Sequence, residues 1–192
     1  MARPTTFTKE MIVAAATELV AAEGVAALTT RTVASRLASS TAPIYSTFAS
    51  IDELRDAVID RAREQLRRAT RQPWTDRPFL NEGTGLVVFA RDNPRLFALL
   101  FLTPDVATTA IPKVYADLLA DMKKDGRFAS FTARERDIVL EKLWFVAVGM
   151  ATLAHAGRLR DATTHGIVTA LLEAGGVLIP DAVERVGRAR RS

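Results

Sequence analysis

The chain has 192 residues, of which 48% are hydrophobic and 25% are charged, and its formal net charge is +4. These values are typical of a globular chain with a buried core, and they exclude an intrinsically disordered chain. The absence of cysteine excludes disulfides, iron–sulfur clusters, thiolate zinc sites and a cysteine nucleophile, and it fits a reducing cytoplasm.

The sequence predicts neither a membrane span nor an export signal. The longest apolar run, Leu143 to Ala156, is shorter than the roughly 20 residues that cross a bilayer. Polar residues between Thr5 and Glu10 interrupt the region where a signal peptide would be apolar. We therefore expect a cytoplasmic protein with no membrane partner.

Apolar residues recur at helical spacing, and no segment alternates like a strand, so the fold is predicted to be all-α. The first helix is predicted from Lys9 to Glu23, with Thr8 as its cap and Gly24 after its end. Two short helices are predicted next, over about Thr30 to Leu37 and about Ser40 to Phe48.

A fourth helix is predicted to begin at Ser50, because Ser50 and Glu53 have the spacing of a capping box, and to end before Pro73. Longer and more apolar helices are predicted over about 79–92, 94–101, 111–124, 133–160 and 162–179. Pro104, Pro112 and Pro180 separate some of these segments. We place one domain at residues 1–50, joined by a linking helix over 51–72 to a second helical domain at 73–192.

Two short helices joined by a tight turn, with a longer helix before them, have the plan of a helix-turn-helix DNA-binding element. This region carries Leu28–Ala34, Ser40, Ile44, Tyr45, Phe48 and Asp52–Leu54. At these positions it closely resembles the N-terminal domain of the TetR family of transcriptional repressors. The resemblance covers about Thr8 to Arg61. It implies a homodimeric repressor that binds palindromic operator DNA and is released by a small-molecule effector.

The chain differs from the TetR pattern at two positions. Ala38 and Ser39 stand in the turn where the family usually has Gly-Val, and the left-handed conformation common there suits Ala38 less well than glycine. Ile51 stands where many relatives have a lysine that reaches the DNA backbone. We therefore expect one phosphate contact of the family to be missing.

The second domain carries Asn93, Pro94, Leu96, Phe97, Trp144, Gly149, Met150, Ala151 and Leu153. These residues resemble a TetR subgroup whose C-terminal region has a Trp-His-Gly pattern. Val148 takes the place of the histidine in this chain.

The third helix is expected to lie in a major groove, where small polar side chains on its first turns approach base edges. Phosphate contacts are expected from the start of the second helix and from the Tyr45 hydroxyl, and Phe48 is assigned to the core. A cap from Ser40 would use the amide of Ala42, because Pro43 has no amide hydrogen. The predicted DNA-binding residues are Thr30, Arg31, Ser40, Thr41, Ala42, Pro43, Tyr45, Ser46 and Thr47.

A lipophilic effector needs a mostly apolar pocket with few polar groups, and the aromatic residues of the second domain fit that requirement. Aromatic residues at helical spacing also pack ordinary cores, so both interpretations stay open. The predicted pocket residues are Phe89, Phe97, Phe101, Trp144, Phe145, Met150 and His155.

A dimer is expected because a single helix-turn-helix element would recognise too few base pairs. Helical spacing places small and aliphatic residues on one face of each of the last two helices, which suits a four-helix seam. The same faces would also fit packing within one subunit. The predicted interface residues are Ala147, Ala151, Ala154, Ile167, Leu171, Ala174 and Leu178.

An enzyme is the less favoured class, because the sequence has no nucleophile elbow, phosphate-binding loop, His-Glu-x-x-His motif or dinucleotide fingerprint. With two histidines and no cysteine, we expect neither a metal site nor a cofactor. The alternative to a DNA-binding regulator is an all-helical protein-interaction module without specific DNA binding.

Overall fold

The computed structural model describes the backbone of residues 7–189 and the side chains of residues 7–180. This part of the chain is helical, with two short 3-10 turns at Val25–Ala27 and Gly126–Phe128 and no strand, which confirms the all-α prediction. The described helices are α1 Lys9–Glu23, α2 Thr30–Arg36, α3 Ala42–Thr47, α4 Ile51–Thr70, α5 Pro78–Asp92, α6 Pro94–Phe101, α7 Pro104–Lys124, α8 Ala133–His155 and α9 Thr164–Ala189.

Local capping sets both ends of α1 where the sequence predicts them. The Met11 amide donates to the Thr8 hydroxyl at 3.2 Å, and the Gly24 amide donates to the Val20 carbonyl at 2.8 Å. Gly24 has a φ of 91°, a conformation that side-chain-bearing residues rarely adopt. The bounds of α1 are therefore fixed by its own flanking residues.

The turn between α2 and α3 is closed by a Schellman motif around Ala38. The Ser39 amide donates to the Ala34 carbonyl and the Ala38 amide to the Ser35 carbonyl, each at 3.0 Å. Ala38 has a φ of 50°, the left-handed conformation that glycine supplies in most such motifs. The left-handed conformation that the sequence analysis expected at this position is therefore present, and alanine occupies it.

The short helix α3 begins later than predicted. Its N-cap position is Thr41, whose side chain makes no capping hydrogen bond, and the Ser40 carbonyl accepts a hydrogen bond from the Ser39 hydroxyl at 2.9 Å. The predicted cap from Ser40 to the Ala42 amide is therefore wrong. Pro43 lies in the first turn of α3, and its ring fixes φ near the helical value, which favours the start of the helix without a side-chain cap.

The start of α4 differs from the predicted capping box in one contact. The Glu53 amide donates to the Ser50 hydroxyl at 3.1 Å, as expected. The Glu53 carboxylate accepts from the Ala49 amide at 2.7 Å, one residue before the amide that a reciprocal box would use. The helix then runs to Thr70, before Pro73.

Contacts divide the described chain into two units that are not continuous in sequence. The first contains the residues up to Gln65 together with Arg95–Ala107, and the second contains Leu66–Pro94 and the residues from Thr108 onward. This division differs from the boundary placed at 72/73. In the first unit, the Arg55 guanidinium pairs with the Asp105 carboxylate at 2.8 Å and links α4 to the first turn of α7.

Between α1 and α4, the core of the first unit consists of aliphatic side chains and Phe48. The apolar side chains of this unit from α1 to α4 that are at most 2% exposed are Ile12, Ala16, Val20, Val33, Ile44, Phe48, Leu54, Val58 and Ala62. Burial of Phe48 agrees with its assignment to the core.

In the second unit, α5, α8 and α9 pack against one another. α5 also approaches the end of α4 closely at Gly85, where a Cβ atom would collide with the Ala69 carbonyl oxygen and the Thr70 Cα. The Trp74 indole donates to the same Ala69 carbonyl at 2.9 Å. Glycine at position 85 is therefore required for this helix contact.

Two prolines that were predicted to separate helices lie inside them. α7 contains Pro112 and α9 contains Pro180, so both helices are longer than predicted. Both prolines are exposed, and a carbonyl left without its helical partner there can bond to water. α8 instead ends early, at His155, because Gly157 has a φ of 65° and closes the helix.

By length and composition, α8 is able to cross a membrane. In the second unit, however, α8 packs against both α5 and α9. It also begins with charged residues, Arg134 to Asp137. These features are typical of the central helix of a helical domain.

Replacing Ala38 with glycine is expected to raise the free energy of unfolding by about 1 kcal/mol, because glycine adopts a positive φ without a Cβ clash. Urea unfolding followed by circular dichroism measures the change. The matched control is Ala21→Gly at an exposed position inside α1, where glycine is expected to cost about 1 kcal/mol. Destabilisation in both variants would contradict the left-handed backbone at Ala38.

Candidate functional site

The exposed face of α2 and α3 brings two of the predicted DNA-binding side chains together. The hydroxyl oxygens of Thr30 and Tyr45 lie 3.4 Å apart, although the two residues are on different helices. The Tyr45 side chain is 61% exposed, so the ring is not part of the core. The paired hydroxyls form a small polar site at which an oxyanion could accept a hydrogen bond.

Capping holds the Thr30 end of this pair in place. The Thr32 amide donates to the Thr29 hydroxyl at 3.1 Å, and the Thr29 amide donates to the Thr32 hydroxyl oxygen at 3.0 Å. The Thr32 hydroxyl in turn donates to the Ala27 carbonyl at 2.6 Å. The first turn of α2 is therefore anchored to the preceding 3-10 turn, which fixes the position of Thr30.

The α3 side chains predicted near base edges lie at the surface. Ala42 and Ser46 are exposed, while Thr41 and Thr47 are half-buried. The hydroxyls of Ser46 and Thr47 donate to the Pro43 carbonyl at 2.9 Å and 2.8 Å. With their protons committed inside the helix, these two hydroxyls offer lone pairs to donors such as base amino groups.

The remaining predicted residues flank this face: Ser40 and Arg31 are exposed, and Pro43 is half-buried. No acidic partner of the Arg31 guanidinium occurs among the residues that the structure describes. Two neighbouring cations are already engaged. Arg36 pairs with Glu18 at 3.4 Å, and Lys9 pairs with Glu53 at 3.9 Å.

Residues 12–58 match the family described as bacterial regulatory proteins, tetR family. The match concerns this segment, about a quarter of the chain, which is therefore similar to the DNA-binding domain of TetR-family regulators. It runs from α1 into α4 and includes every predicted DNA-binding residue. Because the match ends at residue 58, the resemblance of the C-terminal region to the Trp-His-Gly subgroup stays a prediction. No curated protein sequence matches the chain significantly.

The second unit contains a cavity of about 410 Å³ that is mostly apolar. Several phenylalanines meet edge to face along it: the ring centroids of Phe79 and Phe128 are 5.1 Å apart, and those of Phe128 and Phe131 are 5.5 Å apart. Trp144 also lines the cavity. Its volume and lining suit a small lipophilic ligand.

Trp144 is the predicted pocket residue that lines this cavity. Phe89 is buried in α5 but is not part of the lining, and Phe145 is 65% exposed on α8. Met150 and His155 are half-buried on α8 outside the lining. The predicted set is therefore not brought together around this cavity.

Phe97 and Phe101 belong to the first unit, in α6. Their rings stack on each other with centroids 4.7 Å apart and planes inclined by 15°, and both are buried. They therefore pack in the interior of that unit. The sequence-based selection missed Phe128 and Phe131, whose proximity to the Asp125-Gly126 turn was the available signal.

Most of the predicted dimer-seam residues of α8 and α9 are buried within the single chain. An added Cβ at Gly83 of α5 would lie 3.4 Å from the Leu171 side chain, so these side chains already pack against α5. Some predicted seam residues also line the cavity, namely Ala147, Leu171 and Ala174. Those that are at most 9% exposed are Ala147, Ala151, Ala154, Ile167 and Leu171, whereas Ala174 and Leu178 are half-buried.

The same two helices also carry exposed apolar side chains, of which Leu172 is in addition part of the cavity lining. Phe145 and Leu153 lie on α8, and Leu172 and Val177 lie on α9. These four side chains are between 37% and 71% exposed. We call them the α8–α9 face. Large exposed apolar side chains on neighbouring helices are common at interaction sites.

Glu82 of α5 lines the cavity and is only 9% exposed. Burial raises its pKa to about 7, and a hydrogen bond with Thr70 opposes that increase. The nearby Asp121 and Asp117 carboxylates raise the pKa further, while Arg71 lowers it. Ionisation of Glu82 is therefore costly in the folded chain.

The pKa of Glu82 implies a pH dependence of stability. The folded state binds the proton more tightly than the unfolded state, where the pKa is 4.5, so stability falls as the pH rises from 4.5 to about 7. Glu82→Gln removes this titration. At pH 8 the variant is expected to be more stable than the parent chain by about 3 kcal/mol, and the difference should vanish below pH 4.5.

Urea unfolding at several pH values measures this difference. The matched control is Glu141→Gln, which changes an exposed carboxylate on α8. A stability gain for Glu82→Gln that is the same at every pH would show that Glu82 titrates normally.

Proposed function

We propose that the protein is a cytoplasmic, homodimeric repressor that binds palindromic operator DNA and is released by a small lipophilic effector. The observation that carries this proposal is the exposed pair of hydroxyls on Thr30 and Tyr45 beside α3, in the segment that matches the TetR family. Regulators of this family are generally non-enzymatic, which agrees with the absence of catalytic motifs in the sequence.

Two kinds of DNA contact follow from the face described above. Thr30, Arg31 and Tyr45 are positioned to contact phosphate oxygens, which fixes the register of the domain on the duplex without selecting a sequence. The exposed turn of α3, with Thr41 and Ser46, would enter the major groove and contact base edges. Lacking a bidentate Arg, Asn or Gln in α3, the protein would depend on hydroxyl and methyl contacts for its sequence preference.

The dimer would form through the α8–α9 face. A two-fold dimer presents two recognition helices about 34 to 36 Å apart, which matches successive major grooves on one side of B-form DNA. A face rich in exposed Phe, Leu and Val loses apolar surface to water on association. The buried seam residues of α8 and α9 would then support this face from within each subunit.

The effector would bind in the cavity of the second unit and act by differential affinity. A ligand that binds one dimer geometry more tightly shifts the population towards that geometry. If the favoured geometry no longer fits successive grooves, DNA affinity falls, and bound operator lowers the affinity for the effector by the same factor.

Tyr45→Phe is expected to weaken binding to all duplexes by about tenfold, because it removes a hydrogen bond to a charged phosphate. Thr41→Ala is expected to change preference at one base position instead. Selection of duplexes from a random pool, followed by fluorescence anisotropy at two salt concentrations, measures both effects.

The matched control for this experiment is Tyr115→Phe, which removes a hydroxyl from the second unit. It is expected to leave DNA affinity unchanged. Failure of the parent chain to select a palindrome would contradict the proposed function and favour a protein-interaction module. Unchanged DNA binding in both the Tyr45 and Thr41 variants would contradict the contact assignment.

Phe145→Asp is expected to convert the dimer to a monomer, because it places a charge on the α8–α9 face where water would be excluded. Analytical ultracentrifugation measures the assembly state. The control is Met11→Asp, an exposed apolar position on α1 in the first unit. Dimers that persist in the Phe145 variant would exclude this face as the interface.

A further inference from the structure

The charged residues that line the cavity differ in burial and in whether they have an oppositely charged partner. Arg127 is neutralised by Asp125, with its Nε and Nη2 atoms 3.0 Å and 2.5 Å from the carboxylate oxygens. Arg77 is exposed at the start of α5. Among the lining residues, all within the described part of the chain, Glu82 is the only acid. Glu82 is therefore the buried ionisable side chain of the lining, whereas Arg77 lies at the surface.

No ion pair of Glu82 occurs among the described residues. Arg71, the cation that acts on Glu82, contacts the Asp121 carboxylate at 3.2 Å. Lys124 contacts the same carboxylate at 2.6 Å. Asp117 and Asp121 of α7 add negative potential at the Glu82 carboxyl, whereas Thr70 supplies a neutral hydrogen bond. An ionised Glu82 thus lacks a dedicated counter-ion in the protein.

The rest of the lining favours the same kind of ligand. Phe79, Phe128 and Trp144 present aromatic surface around the cavity. Aromatic faces attract organic cations through their quadrupole and also accept apolar chains. An anionic ligand, in contrast, would face the Glu82 carboxyl inside the cavity.

We propose that the cavity takes a lipophilic organic cation, with its ammonium group against Glu82 and its apolar part among Phe79, Phe128 and Trp144. This assignment of ligand class rests on the proposed function of the cavity as the effector site. The cation supplies the counter-charge that Glu82 lacks, and burial of the alkyl or aryl part supplies the apolar contribution to binding.

Titration calorimetry of the full chain at pH 8 with three probes of one chain length tests the proposal. Decyltrimethylammonium, decanoate and 1-decanol differ in charge, and each has a straight chain of ten carbon atoms. The cation is expected to bind at least tenfold more tightly than either of the others. Glu82→Gln should remove that advantage and leave the affinity for 1-decanol unchanged, whereas Glu141→Gln should behave like the parent chain.

Repeating the titration between pH 6 and 8 adds a second readout. The decyltrimethylammonium charge is permanent, so the affinity of this probe should rise with pH as the Glu82 carboxyl ionises. The charged groups that act on this ionisation are Arg71, Asp117 and Asp121. The affinity of the Glu82→Gln variant should stay constant over the same range. A flat profile for the parent chain would overturn the role of Glu82.

Three other results would also overturn the proposal: tighter binding of decanoate, equal binding of all probes, or no binding of any probe. Operator binding is measured separately, without probe. Loss of operator binding would refute the regulator function and leave the ligand class standing, whereas intact operator binding without preference for the cation would refute the ligand class alone.

Discussion

The exposed face of α2 and α3 depends on the burial of Ile44 and Phe48 in the core of the first unit. A helix as short as α3 is not stable by itself, because one turn of hydrogen bonds does not repay the entropy of nucleation. Packing of these two side chains beneath α3 therefore holds it in place. With its apolar side fixed inward, Tyr45 and Ser46 must point outward, and Tyr45 comes within 3.4 Å of Thr30.

Two cations near this face are paired with acidic residues. Lys9 lies 5.1 Å from the centre of the Phe48 ring and pairs with Glu53, so it stabilises the unit internally. Arg36 is similarly engaged with Glu18. Hydroxyl groups thus predominate over cations at α2 and α3. Binding through such groups is directional and short-ranged, whereas cations contribute the salt-dependent part of DNA affinity.

In the second unit, α8 and α9 carry both residues that line the cavity and exposed apolar residues. The small side chains of α8, such as Ala147 and Ala151, face inward, and Ala147 is also part of the cavity lining. Phe145 and Leu153, on the other side of α8, remain exposed. A helix that is apolar all round can therefore line a cavity with one face and offer another to a partner. A ligand in the cavity would contact the same helices that carry the α8–α9 face.

Local sequence determined much of the first unit. Thr8 and Gly24 bound α1, the buried positions of α1 repeat at helical spacing, and the turn chemistry around Ala38 pointed to a left-handed residue, because capping and turn preferences act over a few neighbouring residues. Tertiary structure decided the rest. Since α8 is apolar on nearly every side from Leu143 onward, its periodicity could not distinguish the cavity wall from the exposed face. Similarly, the lining of Glu82, Phe128 and Trp144 comes from segments far apart in sequence and exists only once α5, α8 and α9 have packed together.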